Sequence, residues 1–168
     1  SHYENVLVSR VHPQIILNEN LPDIQSIKDI DEEFWKKRLR QINDFEKTIY
    51  ETGTIIFKFY LNLSKEEQKN RLLRRLNKPD KNWKFNTDDL EERKKWDDYK
   101  AAYKEALMNT SKKHSPWYNI PADHKPTARY LVAKILKNRM SEFKDIKYPE
   151  SDLKKEVGFY MDKLKNED

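Results

Sequence analysis

Only two glycines, Gly53 and Gly158, occur in the 168 residues. That is about a fifth of what the ~7% average would give. A P-loop needs two glycines about six residues apart, followed by Lys and Ser or Thr, and a dinucleotide fingerprint needs about three glycines close together. Neither can be built here. Whatever this chain binds, it does not cradle phosphate with a glycine-rich loop of its own.

Cysteine is absent, which removes disulfides, thiol nucleophiles, thiolate metal sites and iron–sulfur clusters. That fits a reducing compartment. No apolar run approaches the ~18 residues of a membrane span, and no signal peptide opens the chain. A cytoplasmic protein without a membrane partner is the expectation. Hydrophobic residues are 36% and charged residues 38%, yet Phe 7, Trp 4 and Tyr 9 argue against disorder. A chain of this length can bury roughly 70% of its unfolded surface, enough for a true core.

The net charge of +5 is modest, but its distribution is uneven. Lys69, Arg71, Arg74, Arg75, Lys78, Lys81 and Lys84 face a single Asp80 between residues 69 and 84, a net +6 for that window. A local basic cluster in a balanced chain points to an anionic ligand.

Residues 1 to 11 suit a helix or a strand, and 13 to 31, with Pro13 and Pro22, read as a loop. Asp31 is placed as an N-cap. Phe34, Trp35, Arg38, Leu39, Ile42, Phe45 and Ile49 recur at three and four, predicting an amphipathic helix over 32–51 with Gly53 at its C′ position. Thr54 to Leu61 is nearly continuous in β-favouring residues and predicts a strand buried on both faces, as in a parallel sheet. Ser64 and Glu67 form a capping-box pattern for the next helix. There Leu72, Leu73 and Leu76 face one way and Arg71, Arg74, Arg75 and Lys78 the other. Pro79 ends it. Residues 79–88 are irregular, and one long helix is predicted from Asp88 or Asp89 to about Met108. A short strand over 117–120, a helix over 127–140 and a charged last helix over 151–165 complete the pattern. The alternation is α/β, but sheets have about four to six strands and this chain offers two. Part of an α/β domain is therefore expected, with the remaining strands before residue 1.

The bland reading of the basic face is solvated charge. Two features weigh against it. The stripe lacks Glu partners at i±4, and it runs straight into a loop with more lysines and Trp83. Arg adds bidentate hydrogen bonding to phosphate. Trp83 either stacks on a base or packs over the loop, with packing the commoner role, while Trp96 and Trp117 suit a core. Asp88, Asp89, Glu91 and Glu92 suit a helix N-terminus, though one of them could anchor a loop to a cation. The four histidines show no metal spacing and no catalytic triad can be assembled.

The lid-like segment from Arg75 through Pro79, Lys81, Trp83, Lys84 and Asn86 to Asp89, followed by Trp96 and Tyr99, resembles the family-2 polyphosphate kinases. So do the segment from Ser1 to His12, which is similar to the stretch directly after that family's Walker B Asn/Asp-Arg pair, and the segments Thr110–Trp117 and Ala122–Arg129. The likeness runs from Ser1 to about Met140. It implies a partial P-loop-kinase-like, thymidylate-kinase-like α/β/α sandwich with a helical lid over about 71–98, and a peripheral helical extension over 141–168.

The resemblance also implies roles. Arg75, Lys81 and Lys84 would be catalytic lid cations, and Arg71 would bind phosphate with them. Glu4 sits where an acidic or amide residue is associated with acceptance of monophosphates. Arg10 would be a phosphate ligand, and Asp123 and Lys125 would lie near the nucleotide or polyphosphate path. The Glu4–Val8 stretch and the insertion at 13–31 resemble the subgroup that phosphorylates AMP as well as ADP. Asn86 departs from the usual lid serine but can still cap a helix. The family's Walker A loop and Walker B pair are missing, so the chain is similar to a carboxy-terminal part and is expected to be inactive or nearly so alone. The implied activity is transfer of a terminal phosphoryl group from inorganic polyphosphate to AMP or ADP, giving ATP from ADP, with Mg²⁺ held mostly by residues outside this chain, in a homo-oligomer. The competing reading is a non-catalytic basic module that holds RNA or single-stranded DNA by phosphate contacts and stacking.

Overall fold

The computed structural model describes residues 2–148, 153 and 156–167. The elements run α1 (His2–Val11), α2 (Gln14–Leu17), a 3₁₀ turn (Ile27–Asp29), α3 (Glu32–Glu51), β1 (Lys58–Asn62) and α4 (Lys65–Leu76). A second 3₁₀ turn (Pro79–Lys84), α5 (Asp88–Lys94), α6 (Trp96–Thr110), β2 (Trp117–Pro121), α7 (Lys125–Met140) and α8 (Val157–Lys165) follow. The fold is mixed α/β, mostly helical with a small parallel sheet.

The α3 boundaries follow the sequence signals closely. The Asp31 carboxylate accepts from the Phe34 N–H at 2.8 Å, and Gly53 follows the last turn at φ +93°, the left-handed region where a Cβ is disfavoured. Trp35, Leu39 and Ile42 are buried from this helix. The segment from His2 is helical, and α1, α3 and α6 pack on one another around a core of Tyr3, Leu7, Leu39, Ile42, Ala102 and Ala106.

β1 pairs with β2 in parallel, Lys58 opposite Trp117 and Asn62 opposite Pro121. The strand starts at Lys58 rather than Thr54, because β2 offers no partner before Trp117. Lys58, Tyr60 and Asn62 share one face, as period two requires. Phe57 and Phe59 stack on the other face, where Phe59 also meets Tyr118.

Lys58 is the surprise of the strand, a lysine only 6% exposed. Its Nζ donates to Glu46 Oε2 at 2.7 Å, the Thr110 carbonyl at 2.7 Å and Tyr3 OH at 3.1 Å, and the Tyr3 hydroxyl donates to Glu46 Oε1 at 2.8 Å. Burial draws the ammonium below its usual range, and the Glu46 carboxylate opposes that. The cluster ties α1, α3, β1 and the end of α6 together.

Three further expectations need correction. The loop at 13–31 contains α2 and a 3₁₀ turn. The single helix from 88 to 108 is two helices, broken at Lys95 without Pro or Gly, where Lys95 and Glu92 both reach His12. Leu73 and Leu76 of α4 are not inward, being 45% and 44% exposed. The chain divides into two compact units, Ser1–Val132 and Ala133–Asp168. In the second, Arg139 lies over the Phe143 ring and α8 carries exposed Phe159, Met161 and Leu164. Residues 151, 152, 154 and 155 of the expected last helix lie outside the described residues. Among the described residues, no helix is long and apolar enough to cross a membrane.

Candidate functional site

A cleft of about 490 Å³ opens between the end of β1 and helices α4, α5 and α6. Its cations are Arg71 and Arg75 from α4, Arg93 from α5 and Lys100 from α6, and Tyr60, Trp96, Tyr99 and Tyr103 supply aromatic wall. The position has a physical reason. Parallel strands present their ligand sites at their carboxyl ends, and β1 ends at Asn62 beside this cleft.

The first turn of α4 sets the arginines. Ser64 Oγ accepts from the Glu67 N–H at 3.0 Å, which is half of a capping box. The other half is replaced. The Ser64 N–H donates instead to Asp123 Oδ1 at 2.8 Å, from the turn after β2. That bond draws the Asp123 carboxyl below its usual range. Glu67 is thereby released and pairs with Arg71 at 2.9 Å and Arg74 at 2.7 Å. The expected lack of Glu partners at i±4 is therefore wrong at Arg71, because Glu67 does not close the capping box and reaches the arginine instead. Arg71 Nη2 also donates to the Ala122 carbonyl at 2.6 Å, which joins α4 to the end of β2.

Arg75 approaches Asp89 at 3.8 Å and donates to the Lys84 carbonyl at 3.4 Å. It thus links the cleft to the second 3₁₀ turn. Lys84 lies 4.9 Å from the centre of the Trp83 ring. Trp83 does not pack over the loop; it is 77% exposed, with its indole N–H donating to the Asp80 carbonyl at 3.1 Å. Lys81 stands exposed on the same turn. Asn86 Oδ1 accepts from the Asp88 N–H at 3.1 Å, so it serves the start of α5 in the way a serine would.

The remaining sequence candidates lie apart from the cleft lining. Arg10 holds Glu32 at 2.7 Å and Glu105 at 3.2 Å and sits over the Trp35 ring. Glu4 is in the first turn of α1, and Lys125 opens α7. Asp123 acts on the cap of α4 rather than facing the cleft. The structure thus brings Arg71 and Arg75 together and adds Arg93 and Lys100, which the sequence reading missed. The available signal was the strand-end rule applied to Tyr60 and Asn62, which Lys100 contacts.

Glu92 anchors α5. Its Oε2 accepts from Tyr99 OH at 2.6 Å and lies 2.8 Å from His12 Nε2. The Tyr99 bond first, then the His12 bond, hold its carboxyl at about 2. A depressed carboxyl adds stability that is complete above its ordinary value and lost as pH falls toward 2. Replacing Glu92 by Gln is therefore expected to lower stability at pH 6 and to lessen the further loss between pH 5 and pH 3, read by urea unfolding at each pH. An unchanged slope through that window would remove the anchoring role.

Among the described residues, no three His, Asp or Glu side chains gather as a metal site. The two cleft carboxylates are committed to cations or hydrogen-bond donors, Asp89 to Arg75 and Glu92 to Tyr99 and His12. Neither stands as a free carboxylate in the cleft.

The model of the family described as polyphosphate kinase 2 matches residues 1–148. An ADP-polyphosphate phosphotransferase of Rhodopseudomonas palustris is 46% identical over 151 residues, covering 90% of this chain and 51% of that protein. An AMP/ADP-polyphosphate phosphotransferase of Meiothermus ruber is 43% identical over 136 residues, covering 81% of this chain and 45% of that protein. A solved polyphosphate kinase 2 from Arthrobacter aurescens TC1 superposes with a TM-score of 0.76 at 36% identity, over 98% of this chain and 52% of that one. The chain spans about half the length of the curated relatives it matches.

Proposed function

The chain belongs to the polyphosphate kinase 2 family, and on that premise we propose that the whole protein moves the terminal phosphoryl group of inorganic polyphosphate to AMP or ADP. The observation that carries this reading is the cleft at the end of β1, with Arg71, Arg75, Arg93 and Lys100 along one wall-and-mouth. The names of the relatives favour it over the nucleic-acid module.

The reaction breaks the bond between the last phosphorus and the oxygen bridging it to its neighbour. It forms a bond from that phosphorus to an oxygen of the nucleotide's terminal phosphate. The leaving group is polyphosphate shorter by one phosphate. No general base is required, because the acceptor oxygen is already ionised. Catalysis of this kind rests on positioning and on charge stabilisation. Arg71, carried on the carbonyl at the end of β2, and Arg75, joined to the 3₁₀ turn, supply part of that charge. The segment 71–98 acts as a lid, whose closure brings Lys81 and Lys84 onto the phosphates and excludes water. Glu4 and the insertion at 13–31 support acceptance of AMP beside ADP. Mg²⁺, when bound, would neutralise phosphate charge, with its ligands mostly outside this chain, as the family resemblance implies. The reading extends to a homo-oligomer, as the family resemblance implies, working in the cytoplasm that the composition leads one to expect.

Phosphorus NMR on the full-length protein with polyphosphate and either AMP or ADP tests it. New nucleotide β- or γ-phosphate resonances are expected as terminal polyphosphate signal declines. Release of orthophosphate with an unchanged nucleotide would refute the transfer. The 168 residues alone are expected to give almost no product, since two glycines cannot build a phosphate loop.

A further inference from the structure

We propose that Arg93 and Lys100 form a condensed-phosphate subsite at the end of β1, two cations held ready by uncharged partners. This rests on the proposed transfer and assigns the first contact with phosphate within it. The cleft cations are of two kinds. Arg71 is matched by Glu67 at 2.9 Å, and Arg75 by Asp89 at 3.8 Å. Lys100 Nζ donates to Asn62 Oδ1 at 2.8 Å and Tyr60 OH at 3.1 Å. Arg93 Nη1 donates to the Gln68 side-chain oxygen at 2.7 Å and the Lys65 carbonyl at 2.8 Å. All four acceptors are neutral, and among the described residues neither cation is in an ion pair.

The distinction has a consequence for binding. A carboxylate both orients a cation and cancels its charge, so an incoming phosphate must displace it. A neutral acceptor orients without cancelling. Lys100 has three N–H donors and two described acceptors. Arg93 uses only Nη1 in its described bonds, which leaves Nη2 and Nε for a second oxygen. The partners are also firm ones. Tyr60 and Asn62 are consecutive same-face residues of a paired strand, and Lys65 and Gln68 lie in the opening turns of α4. Phosphate therefore meets Arg93 and Lys100 first, and recruits Arg71 and Arg75 as Glu67 and Asp89 give way.

Polyphosphate and the phosphates of a nucleotide share this chemistry, and calorimetric titration of the full-length protein separates them. Inorganic tripolyphosphate and ADP are the two probes. Lys100→Gln keeps a donor toward Asn62 without the charge, and Arg93→Gln does the same toward Gln68. Each is expected to weaken tripolyphosphate by about tenfold or more. Lys47→Gln, on the exposed side of α3 beside Glu51, is expected to leave it unchanged. Circular dichroism and melting temperature check folding, with Lys100→Arg as a charge-keeping variant expected to retain most affinity.

Loss for tripolyphosphate alone assigns the subsite to polyphosphate, and equal loss for ADP assigns it to the nucleotide; both support the inference. Wild-type affinity in both variants, or no tripolyphosphate or ADP binding by the wild type, overturns it. Wild-type affinity in variants of a protein that does phosphorylate AMP or ADP overturns this subsite and leaves the transfer standing. Affinity that depends on Lys100 in a protein that transfers nothing does the reverse.

Discussion

Lys58→Met is expected to cost about 3–5 kcal/mol of folding stability, because it leaves the Glu46 carboxylate buried without its cation. Both side chains are almost out of water, Lys58 at 6% and Glu46 at 5% exposure. Tyr3 alone would remain to satisfy Glu46, through one hydroxyl at 2.8 Å. The Thr110 carbonyl would also lose its donor. Urea unfolding reads the loss directly, and melting should fall by roughly 10 °C for a chain of this size. The double variant Glu46→Leu with Lys58→Met removes the charge with its partner and should regain most of the stability. A single variant as stable as the parent would mean that the pair contributes no net constraint. A double variant no better than the single would place the cost in lost packing instead.

Lys81→Ala together with Lys84→Ala should lower kcat/KM for polyphosphate by about a hundredfold or more while leaving the melting temperature nearly unchanged. Both lysines lie on an exposed 3₁₀ turn opened by Pro79, and among the described residues neither is in an ion pair. Neither supports the core, so folding has little reason to notice them. Lys84 lies over the Trp83 ring, a contact worth little at an exposed site. Their effect should therefore sit in steps where the turn meets phosphate. Steady-state rates against polyphosphate concentration, with Lys36→Ala as a charge control, test this. Rates equal to the parent's would show that the turn does not close over the phosphates.

The sequence reading succeeded where the signal is local. Asp31 and Gly53 bracket α3 because capping and a left-handed residue are written into adjacent positions. It failed where a distant residue decides. Glu67 looked committed to Ser64, but Asp123, 59 positions away, takes the Ser64 N–H and frees Glu67 for the arginines. The break at Lys95 carries no Pro or Gly and coincides with contacts to His12, 83 positions earlier. Nothing in the strand pattern singles out Lys58, since burial of a lysine needs partners that only folding assembles. For the candidate site, the basic run of α4 contains Arg71 and Arg75, which line one cleft. Arg93 and Lys100 sit among acidic residues in the chain, so local charge hid them.

β1 joins two unlike environments with one short rod. Lys58 is fixed at its beginning in the dry core, and Asn62, about 13 Å further along the same face, steers Lys100 at the wet end. A slip of one position would swing Phe59 toward Glu46 and turn Asn62 away from Lys100 at the same stroke. With the proposed subsite at Lys100, the interior pair would act as a setscrew for ligand geometry, and a substitution far from any phosphate is expected to alter affinity before it unfolds the chain.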